Sequence, residues 1–331
     1  MPHKLLNVIT NHITTFKSLC KLLEDITDDD VNFIFKKCPD FNKVKKKLYS
    51  DSDNSDSDND SDDDDSMKTK KAQGGLVLRV INSNQTLVAL IKLNVSDFTN
   101  FIMDGNEFSF WISITELNKC LSDTESENHQ LCFYVNDNDD KILHLNLNHI
   151  ENSNRKESYS LMFMENDVDI PNIPKIEFAY SVTIATTLFK KICAKAKKFS
   201  NEISICCESD KIIFEYLSPA GKPCIISYGS EDGVTIVNHN DKENKPTSSS
   251  FIIDHMLCLK NSSSFSDAMT LFLGNDTPLF IDYLILDKDK DGTDFGRMMV
   301  CIAQKASNNI SSNYHENTKD LYKDKKAIMK N

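Results

Sequence analysis

The stretch from Ala185 to Ser200, ATTLFKKICAKAKKFS, predicts a helix with one apolar side and one basic side. Its apolar residues recur at spacings of one, three and four, as on one face of a helix; they are Leu188, Phe189, Ile192, Cys193, Ala196 and Phe199. The opposite face carries Lys190, Lys191, Lys195, Lys197 and Lys198. Because like charges four residues apart repel, this face is either an ordinary solvated surface or one that meets a polyanion.

The charge of the whole chain makes this basic run unusual. The 331 residues include 38 Lys and Arg against 50 Asp and Glu, a net charge of −12. Nine of the acids lie in the segment 51–65, which has no basic residue, so without it the balance is −12 + 9 = −3. The distribution of charge is therefore more informative than its sum.

Several classes of protein do not fit the sequence. The ten cysteines form no C-x-x-C pair and indicate free thiols in a reducing compartment. No apolar run approaches the roughly 20 residues of a membrane span, and the N-terminus has no signal-peptide pattern. Phosphate-loop, dinucleotide and zinc-protease motifs are absent, and no pair of acids is placed for acid–base catalysis. The sequence predicts no enzyme, metal or cofactor.

One segment looks like a calcium loop. Residues 287–292, DKDKDG, match the start of an EF-hand, but Met298 occupies the twelfth position, where a bidentate glutamate is needed. We interpret the segment as a hairpin turn.

The remaining pattern predicts a duplication. A strand, a basic amphipathic helix, several strands, a short helix and further strands follow one another twice, and F-K-x-aliphatic-C occurs at both Phe16–Cys20 and Phe189–Cys193. The predicted domains are 1–162 and 178–306. They are joined by a proline-stiffened connector, 163–177. A disordered acidic insert at 39–74 and a disordered tail at 307–331 complete the chain.

These residues resemble the sliding clamps of the proliferating cell nuclear antigen family. The densest similarity runs without a gap from Tyr159 through Asp169–Pro174 to Cys193. Leu78–Leu93 is similar to the family's L-x-x-M-D-x-x-H-V strand pair, and Asp276–Leu279 with Ile302–Lys305 is similar to its C-terminal motifs. Together the matches cover most of positions 5–305, excluding the insert.

The resemblance implies an α+β DNA-clamp fold: two similar domains of antiparallel sheets, each with two helices on the inner side. It implies that three chains close head-to-tail into a ring around duplex DNA. The expected partners are sequence-independent double-stranded DNA, a DNA polymerase and other proteins with clamp-binding motifs, a clamp loader, and the chain itself as a homotrimer, with no membrane. The expected location is intracellular, in a nucleus or a viral replication compartment.

The site residues follow from the predicted helices and the resemblance. A sliding protein should offer lysines to phosphates and nothing shaped for base edges; the predicted DNA-binding residues are Lys17, Lys21, Lys119, Lys190, Lys191, Lys195, Lys198 and Lys260. By the resemblance, the groove that takes partner peptides includes Ile81, Val88, Pro171, Ile173, Pro174, Pro278 and Ala303.

The chain departs from the family pattern at several of these places. Cys301 and Gln304 stand where the family usually has an aromatic residue and a proline, which weakens one wall of the groove. Glu24, Glu116 and Ala194 replace basic residues, so the hole should be less positive. The acidic insert, between Phe35 and Leu76, should project from the face opposite the groove, where it would mimic DNA or repel a wrong-sided approach.

Two alternatives remain open from the sequence. The chain would also suit a monomeric, non-ring processivity factor of the kind some viruses use, or a subunit of a heteromeric checkpoint-type ring. The mass of the protein in solution separates the first alternative from a homotrimer.

Overall fold

The computed structural model describes residues 3–37, 74–122, 129–139, 141–150, 155–165, 176–239, 245–287 and 292–305. The insert up to residue 73, residues 166–175 of the connector, residues 288–291 of the calcium-like loop and the tail from residue 306 lie outside these ranges.

The described chain contains two successive sets of nine strands and two helices. The first set is β1 (Lys4–Thr10), α1 (Ile13–Ile26), β2 (Asp30–Lys36), β3 (Gly75–Ile81), β4 (Leu87–Asn94), β5 (Asn100–Met103), β6 (Glu107–Ser113), α2 (Ile114–Ser122), β7 (His129–Asn136), β8 (Ile142–His149) and β9 (Lys156–Met162). The second set is β10 (Tyr180–Ala185), α3 (Thr186–Lys197), β11 (Glu202–Cys207), β12 (Lys211–Leu217), β13 (Pro223–Gly229), β14 (Thr235–Asn238), β15 (Thr247–Ile252), α4 (Ile253–Leu257), β16 (Ala268–Leu273), β17 (Leu279–Asp287) and β18 (Thr293–Ile302).

The strand pairing shows that the two sets are copies of one architecture. In the first half the strands pair in the orders β5-β1-β7-β8-β9 and β4-β3-β2-β6, and in the second half in the orders β14-β10-β16-β17-β18 and β13-β12-β11-β15. Every described pairing is antiparallel. The predicted α+β fold with a duplicated clamp-type domain is therefore confirmed.

The halves are joined by one strand pair. β18 of the second half pairs with β4 of the first, from Gly296 against Leu93 to Ile302 against Leu87, which fuses two sheets into one of nine strands. Gly296 is required at this junction because an added Cβ would lie 2.3 Å from the carbonyl oxygen of Lys92. Among the described strands, the two at the corresponding positions, β9 and β13, are both sheet edges.

The helices cover one face of the sheets. α1 packs against α2, and α3 packs against α4. The apolar side of α1 is fully buried, with Phe16 edge-on against Phe133 at 5.3 Å between ring centroids. The buried apolar residues form one contiguous core through both halves. Among the described residues, the helices lack the length and apolar character of a membrane-spanning segment.

A buried polar cluster also holds the halves together. Asp287, at the end of β17, is 1% exposed, and it bonds the ring Nδ1 of His12 and accepts a hydrogen bond from the Thr15 hydroxyl at 3.1 Å. His12 lies against Phe295, with ring centroids 4.8 Å apart. Because Thr15 belongs to α1, a single side chain of the second half anchors the start of the first helix of the chain.

Three local predictions were wrong, and one strand was missed. The helix of Ala185–Ser200 ends at Lys197, so Phe199 lies beyond it, 47% exposed and stacked on Tyr216. Just beyond the end of the helix, the Ser200 hydroxyl bonds the backbone of Glu202 in a local turn.

The other errors concern strands. The sequence predicts a polar loop over Asn238–Ser250 and a helix within Phe251–Lys260. In the structure the helix is confined to Ile253–Leu257, and residues 247–250 belong to β15. Phe251 pairs with Ile203 of β11 and is buried there, so the sheet overrides local helical preference. The short β5 was not predicted at all; it pairs with β1 and buries Phe101 and Met103.

Candidate nucleic-acid interface and partner groove

Four lysines on α3 and at its C-terminal end form a basic surface. Phe189, Ile192, Cys193 and Ala196 are buried against the core, which turns the other side of the helix to solvent. Lys190, Lys191, Lys195 and Lys198 are all exposed on that side. None of the four has an ion-pair partner within the described residues, so their charges add and are available to a polyanion.

The other predicted lysines are partly neutralised. Lys260 pairs with Asp25 of α1 at 3.0 Å, a carboxylate that also accepts a hydrogen bond from the Asn261 amide. Lys17 donates to the backbone oxygen of Ser122 at 3.1 Å and is only half exposed. The acidic partner Asp25 was missed from the sequence, because it lies 235 positions before Lys260.

Acids are interspersed among the remaining lysines of the first half. Lys21 of α1 and Lys119 of α2 are exposed, on the same helices as Glu24 and Glu116. The Asn118 amide donates to Glu24 at 2.9 Å and joins the two helices. The helix layer is thus strongly basic on α3 and of mixed charge on α1 and α2.

On the opposite face of the nine-stranded sheet, strand register aligns a row of apolar side chains that we call the outer strip. Ile81 pairs with Val88, Val88 with Cys301, Cys301 with Phe280, and Phe280 with Phe272. Phe280 is 4% exposed and the other four are half-buried. The strip crosses the junction between the halves, and its members point away from the core because their neighbours in each strand are buried.

The predicted groove residues that are described lie on or beside the outer strip. Ile81 and Val88 belong to it, and Pro278 and Ala303, both half-buried, flank its central strands. The Ala303 N–H donates to the carbonyl oxygen of Thr86 at 2.7 Å and closes this end of the sheet. Pro171, Ile173 and Pro174 lie outside the described residues.

The structure supplies the aromatic wall that the sequence seemed to lack. Cys301 is adjacent to Phe280, and the ring of Phe178, just before β10, lies 5.0 Å from Phe280 and 5.5 Å from Phe272. Burial raises the pKa of the Cys301 thiol to about 11, so at neutral pH it is uncharged and adds apolar surface. Phe178, Phe272 and Phe280 were missed because each resembles a core residue of an apolar strand; only the register brings them together.

The first half of the chain provides an internal control for this surface. The row that corresponds to Ser181–Phe272–Phe280–Cys301 is Asn7–Tyr134–His144–Ser160, by the same strand pairings. Lys4 lies over the Tyr134 ring at 4.5 Å, where the other half has Phe178 against Phe272. The fold therefore tolerates a polar row here, and the apolar outer strip is not a requirement of packing.

Beyond Ile81 the outer strip reaches an acidic cleft of about 420 Å³. Its walls include Asp28, Asp29, Asp30 and the largely buried Trp111. Burial raises the pKa of Asp30, and the nearby carboxylates of Asp29 and Glu116 raise it further. The described residues contain no group of three or more His, Cys, Asp or Glu side chains arranged to hold a metal ion.

The duplicated domains, the helices on one face and the junction through β18 and β4 define a DNA-clamp protein. Residues 172–292 match the family model of the proliferating cell nuclear antigen C-terminal domain. The crystal structure of proliferating cellular nuclear antigen from Entamoeba histolytica superposes with a TM-score of 0.68, covering 92% of this chain and all of that one at 14% identity.

Two relatives are similar in sequence over most of their length. The proliferating cell nuclear antigen of Chaetomium thermophilum is 23% identical over 219 residues, 63% of this chain and 80% of the relative. Proliferating cell nuclear antigen 2 of Drosophila melanogaster is 24% identical over 217 residues, 65% of this chain and 82% of the relative. In both sequence and fold, this chain is similar to the sliding clamps of the proliferating cell nuclear antigen family.

Proposed function

We propose that this sliding clamp closes head-to-tail into a ring of three copies, encircles duplex DNA and tethers a DNA polymerase. The observation that carries the ring is the repeat of the junction. Within the chain, the last strand of one half pairs with the fourth strand of the other, β18 with β4. In the opposite halves, β9 takes the place of β18 and β13 takes the place of β4, and both are edges among the described strands. A second copy can therefore continue the pattern.

The repeat also predicts the register between copies. The strand pairs β7–β8–β9 of the first half match the pairs β16–β17–β18 of the second. By this match, β9 residues Glu157, Tyr159 and Leu161 correspond to β18 residues Met298, Val300 and Ile302. Cys224 and Ile226 correspond in the same way to Ala89 and Ile91. We therefore place Tyr159 opposite Cys224 of the partner subunit and Glu157 opposite Ile226 of the partner subunit.

The ring supports DNA binding without base recognition. The helix layer, including the α3 lysines, would line the hole, and lysines contact phosphates without reading sequence. Contacts of this kind are salt-sensitive, so lasting attachment would come from topology. The role is that of a non-enzymatic scaffold: the outer strip would receive the polymerase and other partners, a clamp loader would open the ring, and the protein would act in a nucleus or viral replication compartment.

Charge reversal on α3 tests the DNA-facing side. We expect Lys191→Glu with Lys195→Glu to abolish binding to a short linear duplex at low salt, measured by fluorescence anisotropy. In the single variants, the slope of log affinity against log salt concentration should become less negative by about 0.9 for each phosphate that the protein no longer neutralises.

The matched control is Lys92→Glu, an exposed lysine on the opposite face of the nine-stranded sheet. This control should retain DNA binding. Equal losses in the α3 variants and the control would mean that net charge, not the helix layer, determines affinity, and would contradict the proposed orientation.

A further inference from the structure

A cavity of about 360 Å³ lies one strand beyond the outer strip. It is lined by Glu177, Phe178, His239 and Phe272. The floor is aromatic, because the Phe178 and Phe272 rings lie 5.5 Å apart at 45°. Both rings are half-buried, so each retains an accessible face.

The rim of this cavity is polar and fixed in place. The backbone N–H of His239 donates to the carbonyl oxygen of Ala179 at 2.8 Å, and its Nε2 lies 2.9 Å from the Ser181 hydroxyl. Glu177 is exposed and has no ion pair within the described residues. The cavity therefore combines an aromatic floor with a carboxylate at its edge.

This combination favours a side chain whose cationic group is flat enough to stack on an aromatic ring. An arginine side chain can stack its guanidinium on an aromatic ring and pair its N–H groups with a carboxylate. The corresponding surface of the first half has Lys4 over Tyr134, which would repel the same group. The two halves thus differ in charge preference at equivalent places on one fold.

We propose that this cavity is an additional subsite of the partner groove that binds an arginine of the partner peptide. The proposal rests on the proposed tethering function and names a feature of the partner. Val88 and Phe272 are three strands apart, about 14 Å at the usual strand spacing. An extended peptide covers this distance in about four residues, so the arginine lies about four positions from the apolar anchor on the outer strip.

The test uses a pair of labelled synthetic peptides and the full-length protein. Both peptides carry the apolar and aromatic anchors of a clamp-binding motif; one has arginine, and the other neutral citrulline, at three, four or five positions from the apolar anchor. We expect the arginine peptide to bind about tenfold more tightly at one of these spacings. Glu177→Gln should remove this preference and leave the affinity for the citrulline peptide unchanged.

Matched variants separate this subsite from the groove itself. Phe272→Ala should weaken the arginine peptide more than the citrulline peptide, whereas Tyr134→Ala, at the equivalent place in the first half, should change neither. Val88→Asp should weaken both peptides, because it alters the outer strip.

Two results would overturn the subsite while leaving the groove intact. One is equal affinity of the two peptides for the unmodified protein, and the other is a preference that survives Glu177→Gln. Failure of both peptides to bind would refute the proposed groove as well.

Discussion

Replacing Ser158 by proline is expected to reduce the solution mass of the protein from about three times 37.6 kDa to 37.6 kDa. The reason lies in the hydrogen-bond alternation of β9. The His149 N–H donates to the oxygen of Arg155, and the Phe163 N–H donates to the oxygen of Lys141, both at 3.1 Å. In an antiparallel pair, such bonds recur at every second residue. Odd-numbered residues of β9 therefore bond β8, and the Ser158 N–H faces the open edge.

The internal repeat gives this free N–H a partner. Ser158 corresponds to Met299, which pairs with Leu90 across the junction within the chain. Leu90 corresponds to Ile225, so Ser158 should bond Ile225 of the partner subunit. Proline removes that donor and places its ring in the contact, but it costs no bond to β8 and suits an edge strand. The change should break the ring without unfolding the subunit.

Light scattering at low micromolar concentration and moderate salt measures the outcome. Ser158→Ala retains the N–H and should remain a trimer, so it is the matched control. An unmodified protein of 37.6 kDa would contradict the homotrimer and favour a monomeric processivity factor or a ring that requires other chains. A Ser158→Pro protein that remains trimeric would show that the subunits meet elsewhere.

The sequence predicted the helices and most strands because their faces are amphipathic. The apolar side of α1 and the alternation of β1 carry a strong period. The bounds predicted from the sequence, Leu5–Thr10, Asn11–Ile26 and Val31–Phe35, agree within two residues with β1, α1 and β2. Prediction failed where non-local pairing decides the conformation. In β15, the run T-S-S-S-F-I becomes a strand only because β11 lies beside it.

The candidate sites could also be predicted from the sequence only where non-local contacts do not decide them. Lysines on a helix face are visible in sequence, but their neutralisation is not: Lys197 pairs with Asp254 at 2.7 Å, and Lys260 pairs with Asp25. The outer strip needs the register of five strands, three from the second half and two from the first. Sequence reasoning identified Ile81 and Val88 by resemblance, and it missed the three phenylalanines, for which only the tertiary pairing provides a signal.

The second large effect concerns the junction within the chain, where we expect Asp287→Ala to destabilise the subunit by about 3 kcal/mol. The carboxylate is 1% exposed and bonds both His12 and Thr15. Its removal takes an acceptor from two buried groups of the first half and leaves space beside the His12 ring. Removing one partner of a buried polar contact costs more stability than the intact contact contributes as a net free energy. The reason is that the partner that remains stays buried away from water.

The measurement is the free energy of unfolding in urea, made in the Ser158→Pro background so that subunit association does not contribute. Asp254→Ala is the matched control, because Asp254 is 59% exposed in its ion pair with Lys197 and such surface pairs contribute about 0 to 1 kcal/mol. Thr15→Val should cost about 1 kcal/mol, since it removes the hydrogen bond from Thr15 to the carboxylate. If Asp287→Ala were no more destabilising than Asp254→Ala, the β18–β4 pairing and the apolar core alone would hold the halves together, and the polar cluster would not anchor α1.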